Sequence, residues 1–353
     1  MPPRIVSRRP RIPLRARRVG WRRSRGPVAL LALALAASGC GSPPPGEPAP
    51  EATSLLGRPL FAPVPAEDTR VRMEADLAEA RAAWEPDRTD ADRIIWLGRR
   101  TAYLGRYREA IAIYTTGIEQ HPDDARLYRH RGHRYITVRE LDRAIADLER
   151  AAALVAGQPD QVEPDGQPNA RGIPTSTLHS NIWYHLALAR YLSRNFAGAA
   201  GAWSAARAAV DNPDNLVAAG SWLYLSLRRS GRDADATAVL DAIPADLDVI
   251  ENTSYHSLLL LYKGEREADE LVRSAAEGAS GSAVRYGVGA WLLLEGRDEE
   301  ARRIWQDMIE QPDWASFGHI AAEAELKGSE VGLRETPRGS PMPDPRSFPQ
   351  TDL

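Results

Sequence analysis

The fold is decided by the stretch ADRIIWLGRRTAYLGRYREAIAIYTTGIEQHPDD (residues 91–124), because the chain repeats it at once and without a gap. The second copy is ARLYRHRGHRYITVRELDRAIADLERAAALVAGQ (residues 125–158), which gives a period of 34 residues. Gly98 aligns with Gly132, and both copies carry an alanine twelve residues later. Small residues at such fixed positions let two antiparallel helices approach closely, while bulky neighbours fill the space around the crossing. The period therefore predicts stacked helix pairs.

This pattern resembles the tetratricopeptide repeat (TPR), a helix–turn–helix unit of about 34 residues. In the first copy the landmark positions of that family hold Leu97, Gly98, Tyr107, Ala110, Tyr114 and Pro122. Weaker copies follow at residues 180–210, 222–244, 255–272 and 289–312. The resemblance implies an all-α fold, an α-solenoid of about six antiparallel helix-pair repeats with end helices that cover its exposed faces. Arg131 stands where the pattern has leucine, so we expect either a bond to a neighbouring carboxylate or different local packing.

The sequence predicts seven consecutive parts. They are a lipoprotein signal peptide (1–39), a Pro-rich tether (40–66), a capping helix (67–90), repeats 1 and 2 (91–158), an inserted loop (159–179), repeats 3 to 6 with a terminal helix (180–327) and a disordered tail (328–353).

The N-terminal region is typical of an exported protein. It is rich in arginine, and its apolar run Val28–Ala37 is only half as long as the roughly 20 residues that cross a bilayer as a helix. The only cysteine, Cys40, follows small residues, as in bacterial lipoprotein signals, where the cysteine is lipidated and becomes the mature N-terminus. An ordinary secretory signal that ends near a cysteine is the alternative. Gly41 after the cysteine favours the outer membrane, with the body in the periplasm.

The charge balance argues against nucleic acid as a partner. Residues 1–39 hold ten arginines and no acidic residue, which leaves 35 basic and 48 acidic residues from Cys40 onward, a net charge of −13. A body with this charge repels a phosphate backbone.

The resemblance also implies a binding surface, because certain positions of the first helix of each TPR unit line a concave groove. Those positions hold Arg99, Tyr103, Arg126, Arg129, His133, Asn181, Tyr184, Tyr191, Arg228 and Arg229. Arginine forks bind carboxylates bidentately and tyrosines pack on the stem of an extended peptide, so we expect a protein or peptide partner with acidic character. The alternative is that these arginines are solvated or pair with carboxylates of the repeats themselves.

The inserted loop PDQVEPDGQPNARGIPTSTLH holds four prolines and cannot continue a helix. Long loops on rigid scaffolds often carry function, and a tolerated insertion is equally open.

A second class of function is an envelope hydrolase or metal-dependent enzyme. His130 and His133 are close enough along a helix to share a metal, and Glu163 with Asp165 of the loop would face His133 as a general acid/base set. The chain has no HExxH motif, and the folded body has no cysteine. We therefore expect a scaffold without enzymatic activity, metal or cofactor. A purely architectural protein with no groove ligand is the third possibility.

Overall fold

The structure is a computed structural model that describes residues 49–164, 169–276 and 278–335. The predicted signal peptide, the lipidation site Cys40 and the chain beyond Glu335 lie outside the described residues. Among the helices of the described part, none is both long and apolar enough to cross a membrane.

A short hairpin and fourteen helices make up the described chain. The hairpin consists of β1 (Ala52–Thr53) and β2 (Pro59–Leu60). The helices are α1 (Glu67–Trp84), α2 (Ala91–Tyr103), α3 (Tyr107–Gln120), α4 (Ala125–Thr137), α5 (Leu141–Val155), α6 (Leu178–Leu192), α7 (Phe196–Ala209), α8 (Pro213–Arg229), α9 (Asp233–Asp241), α10 (Thr253–Tyr262), α11 (Ala268–Ser274), α12 (Ala279–Leu294), α13 (Asp298–Met308) and α14 (Phe317–Glu335). Helices α2 to α13 form six consecutive pairs, with α1 before them and α14 after them, which confirms the predicted all-α solenoid.

The small residues of the repeat allow the close helix crossings that the sequence predicts. A Cβ on Gly98 would lie 2.4 Å from Cε1 of Tyr114, and a Cβ on Gly132 would lie 2.8 Å from Cγ of Leu148. Arg131 is accommodated by a bidentate bond from α4 to Asp147 on α5, with nitrogen–oxygen distances of 2.7 and 2.8 Å. The expectation of a carboxylate partner for this arginine is confirmed.

Every helix pair turns through one residue in the left-handed backbone region. Four of these residues are glycines, at 105, 231, 264 and 296. The other two are Arg139, with φ of 64°, and Arg194, with φ of 62°. A residue with a side chain gives up about 1–2 kcal/mol in this conformation, so another interaction must favour arginine at these two turns.

The second half of the predicted tether is folded, which corrects the assignment of residues 40–66 as an extended linker. Ala52 of β1 is buried, and the backbone N–H of Leu55 donates to the carboxylate of Glu323 at 2.9 Å. Trp314 Nε1 donates to the carbonyl of Phe61 at 2.7 Å. The hairpin therefore docks on the segment around α14.

Other boundaries also differ from the sequence prediction. Helix α1 ends at Trp84, six residues before the predicted end of the capping helix. Helix α6 begins at Leu178 because Thr177 and Ser180 form a capping box, so the inserted loop spans 156–177. Helix α14 continues to Glu335, so the first residues of the predicted tail are helical.

Candidate functional site

The first helix of each pair contacts the first helix of the next, and together these helices form the inner side of the solenoid. The inner side is not open along its length. Helix α14 packs on α12 and α13 and also reaches α6. The inserted loop approaches the same side from α5, so two elements outside the helix pairs contact the predicted groove residues.

Two glutamates of α14 are buried in contact with arginines of the inner side. The side chain of Glu323 is 1% exposed and accepts from Arg139 at 2.6 and 3.1 Å. The side chain of Glu325 is 6% exposed and accepts from Arg229 at 2.7 Å and from Arg194 at 3.2 Å. Both arginines with left-handed backbone therefore bind a carboxylate of the same helix.

Arg139 and Arg194 are functional residues of this contact that the sequence analysis did not single out. The sequence does contain an indication of their role, because Arg139 aligns with Gly105 when the two repeats are aligned. An arginine at a position that prefers glycine indicates a bond strong enough to offset the backbone cost. Its partner, 184 residues further along the chain, could not be identified from the local pattern.

The Glu323 carboxylate is part of a larger charged cluster. His319 Nε2 lies 3.4 Å from it, and Asp313 lies 3.8 Å from the other ring nitrogen. Burial raises the pKa of Glu323, but the bonds from His319 and Arg139 outweigh it and hold the pKa below its usual value. Burial lowers the pKa of His319, yet the nearby carboxylates of Asp313 and Glu323 raise the pKa overall.

A third carboxylate reaches the inner side from the inserted loop. Arg129 Nη2 lies 3.0 Å from Oε1 of Glu163, and Asn181 Nδ2 donates to Oε2 at 3.3 Å. The side chains of Arg129 and Glu163 are only 9% and 11% exposed. Burial lowers the pKa of the Arg129 guanidinium, and the charge of Glu163 opposes that effect. Two predicted groove residues are thus occupied by the chain's own glutamate.

A pocket of 280 Å³ remains beside Glu163, between α2, α4 and the inserted loop. Arg99 lies over the ring of Trp96 at 4.5 Å, and its Nη1 donates to the carbonyl of Pro164 at 2.7 Å. Tyr103 Oη is 3.4 Å from the same guanidinium. Arg126, on the opposite wall, is bound by Asp124 at 2.6 Å and by Asp92. This pocket brings two partly exposed arginines, Arg99 and Arg126, to one place on the inner side.

The other predicted groove residues lie outside this pocket, and several are covered. Tyr191 is buried and accepts from the Tyr286 hydroxyl at 2.7 Å. Tyr184 contacts Tyr255, with hydroxyl oxygens 3.2 Å apart. Arg228 points to the turn of its own pair, where its Nε lies 3.0 Å from Asp233. Together with Arg129 and Asn181, which bind the loop, and Arg229, which binds α14, these contacts mean that the predicted residues do not line one open surface.

Three histidines pack on the inner side, where His130 and His185 are buried and His133 is half-buried. His133 and His185 have ring centroids 4.3 Å apart, and Phe317 of α14 lies 5.3 Å from His133. His130 instead stacks on Tyr114 at 5.7 Å. Burial is the main cause that holds the pKa of all three histidines well below the usual value, so they are neutral near pH 7.

The predicted catalytic and metal arrangements are not assembled in the described chain. Glu163 lies 3.8 Å from His130 and bonds Arg129, whereas the hypothesis placed it opposite His133. Asp165 lies outside the described residues. Among the residues the structure describes, no group of three or more His, Cys, Asp or Glu side chains is placed to hold a metal ion.

The six helix pairs, their small crossing residues and the 34-residue period define the class of the chain as an all-α solenoid of helix-pair repeats. No protein-family model and no curated protein sequence matches the chain. Similar solved structures include YrrB, described as a TPR protein with an unusual peptide-binding site, with 16% identity over 70% of this chain and 97% of YrrB and a TM-score of 0.38. Another is Naa15/Naa10 bound to HypK-THB, with 16% identity over 76% of this chain and 41% of that chain and a TM-score of 0.33.

We predict that Glu323→Gln destabilises the protein strongly. The change leaves the Arg139 guanidinium buried without its counter-charge, which costs about 3–5 kcal/mol in typical buried pairs. Urea unfolding followed by circular dichroism measures the change. Glu310→Gln is the matched control, because its pair with Arg58 is 64% and 53% exposed and should contribute within about 1 kcal/mol. Equal stabilities of the two variants would contradict this account.

The buried histidines predict a loss of stability in mild acid. Their pKa is depressed in the folded state, so the unfolded chain binds more protons once the pH falls below its histidine pKa of about 6.5. Each of the three then removes about 1.4 kcal/mol per pH unit. The pKa of His319 is raised in the folded state, so its contribution to stability has the opposite sign. That contribution is fully present below about pH 6.5 and is lost as the pH rises through the folded-state pKa of His319.

The measurement is the free energy of unfolding between pH 7.5 and pH 5. Stability should be retained at the upper end and should fall steeply below about pH 6.5. The double variant His133→Gln, His185→Gln should show a shallower decrease than wild type. A stability that is flat from pH 7.5 to pH 5 would show that these side chains are not buried as neutral imidazoles.

Proposed function

We propose that this protein is a lipid-anchored scaffold of the cell envelope that binds a partner protein, or an extended acidic segment of one, at its inner side. The observation that carries the proposal is shared by Glu163, Glu323 and Glu325. Each comes from an element outside the helix pairs, and each is bound by arginines that lie on the first helices or at the turns that follow them. The surface is therefore built to bind carboxylates that are presented to it by another segment.

The pocket of 280 Å³ is the proposed point of entry for the partner. It lies beside the extended segment Gln161–Pro164, so it suits side chains of another extended segment. Arg99 supplies a cation on one wall, Arg126 lies on the other wall in a pair with Asp92, and the ring of Trp96 supplies a flat apolar surface.

The lipid anchor at Cys40 rests on the lipoprotein-like signal, and the proposed location is the outer membrane facing the periplasm. Because the hairpin docks on the body, only the twelve residues from Cys40 to β1 connect body and lipid. A fully extended chain of that length reaches about 40 Å. The anchor would therefore keep the inner side close to the membrane.

Photo-crosslinking tests the binding site. A photoreactive residue in place of Asp92, whose side chain is 70% exposed in the lining of the same pocket, should give a discrete adduct with a partner protein in the full chain in its native cells. Arg99→Glu should lower the adduct yield at least about tenfold, because bonds to charged groups contribute about 1.5–3 kcal/mol. Arg150→Glu is the control, since that side chain is 47% exposed on α5 and pairs with Asp123. An adduct that is insensitive to Arg99→Glu would remove the pocket from the proposal.

Cell fractionation tests the anchor. Cys40→Ser removes the thiol that would carry the lipid, so the protein should move from the membrane fraction to the soluble periplasmic fraction. Incorporation of labelled palmitate should be lost in the same variant. A Cys40→Ser protein that stays membrane-bound and labelled would contradict lipidation at this residue.

A further inference from the structure

The segment Gln161–Pro164 of the inserted loop lies in the site as an extended peptide would. Residue Val162 forms an antiparallel bridge with Thr177, and the N–H of Leu178 donates to the carbonyl of Gln161 at 2.9 Å. We call these four residues the inner segment.

The inner segment uses contacts that any acidic peptide can make. Arg129 and Asn181 bind the side-chain carboxylate of Glu163, and Arg99 binds the backbone carbonyl of the following residue. Three side chains, one each from α2, α4 and α6, therefore bind one carboxylate and one adjacent carbonyl. Only the glutamate contributes a sequence-specific group.

Arg129 offers more than Glu163 uses. Its Nη2 is the nitrogen that lies 3.0 Å from the carboxylate, and its Nη1 bonds the ring of His130 at 3.1 Å. Its Nε is buried without a hydrogen-bond partner. A guanidinium binds a carboxylate best through two parallel bonds, for which Nε and Nη2 form a suitable fork. The internal glutamate therefore leaves part of the binding capacity of Arg129 unused.

The remainder of the loop is held mainly by contacts near the surface. Arg171 bonds Asp248 in a pair that is 46% and 76% exposed, and such pairs contribute at most about 1 kcal/mol. The apolar side chain of Val162 is 56% exposed, so little of its surface is buried in the site. Displacement of the inner segment consequently costs few packing interactions.

We propose that the inner segment occupies the binding site of a partner's extended acidic segment. When the partner binds, a glutamate of the partner replaces Glu163 at Arg129 and Asn181. This inference rests on the proposed function and names the partner chemistry of that site. An internal competitor on a short connection acts at an effective concentration in the millimolar range. The wild-type chain therefore binds an acidic peptide more weakly than a chain without the competing carboxylate does.

Peptide titration tests this proposal. The probe is a fluorescent peptide QPDQVEP, the sequence of residues 158–164, and the control peptide is QPDQVQP. The full-length Glu163→Ala variant should bind the first peptide at least tenfold more tightly than wild type does, and at least tenfold more tightly than it binds the control. Glu163→Gln, which keeps the side-chain shape, serves as a second variant if Glu163→Ala loses helical circular dichroism.

Adding Arg99→Glu to Glu163→Ala should abolish the gain, whereas adding Arg150→Glu should leave it unchanged. Equal binding of the two peptides, or of wild type and both Glu163 variants, would overturn the proposal. The crosslink at Asp92 separates this outcome from failure of the proposed function. If Arg99-dependent adducts persist while the two peptides bind equally well, the inner side binds its partner without competition from the inner segment.

Discussion

The structure depends on the buried ion pair between Arg139 and Glu323. A repeat solenoid is ordinarily stabilised by contacts between neighbouring units, so its two ends do not contact each other. Here the turn of the second helix pair binds a carboxylate of the last helix, and the same carboxylate accepts from the hairpin at Leu55. This one site therefore joins the beginning, the middle and the end of the described chain. The position of α14 across the inner side follows from it.

Ion pairs of this kind contribute more to arrangement than to net stability. Removing two charges from water costs several kcal/mol, which a good geometry recovers only in part. Apolar side chains would pack α14 as tightly but would permit it to slide by a turn. Glu323 and Glu325 each require an arginine fork at a fixed position, so the docking of α14 has one register. The same chemistry recurs at Arg129 and Glu163, whose side chains are 9% and 11% exposed.

The sequence predicts the fold well because helix pairs are local. The 34-residue period, the small residue at Gly98 and the turn glycines are all visible within one unit. It predicts the site only in part, because the curvature that accumulates over six pairs decides which distant segments meet. The arginines of the inner side are visible in the first helices, but the carboxylates that occupy them lie in a loop and in α14. The alternative that these arginines pair with carboxylates of the repeats describes Arg126 and Arg228, whereas Arg129 and Arg229 bind carboxylates of the loop and of α14.

The distance along the chain between Arg139 and Glu323 also affects how the protein is made. These residues are 184 positions apart, and a ribosome adds about 5–20 residues per second. Glu323 is therefore synthesised roughly 10–40 s after Arg139. During that interval the first helix pairs can form from local contacts, while Arg139, Arg194 and Arg229 remain available to any carboxylate. The nascent solenoid thus passes through a stage in which its inner side is open, and synthesis of the last helix ends that stage.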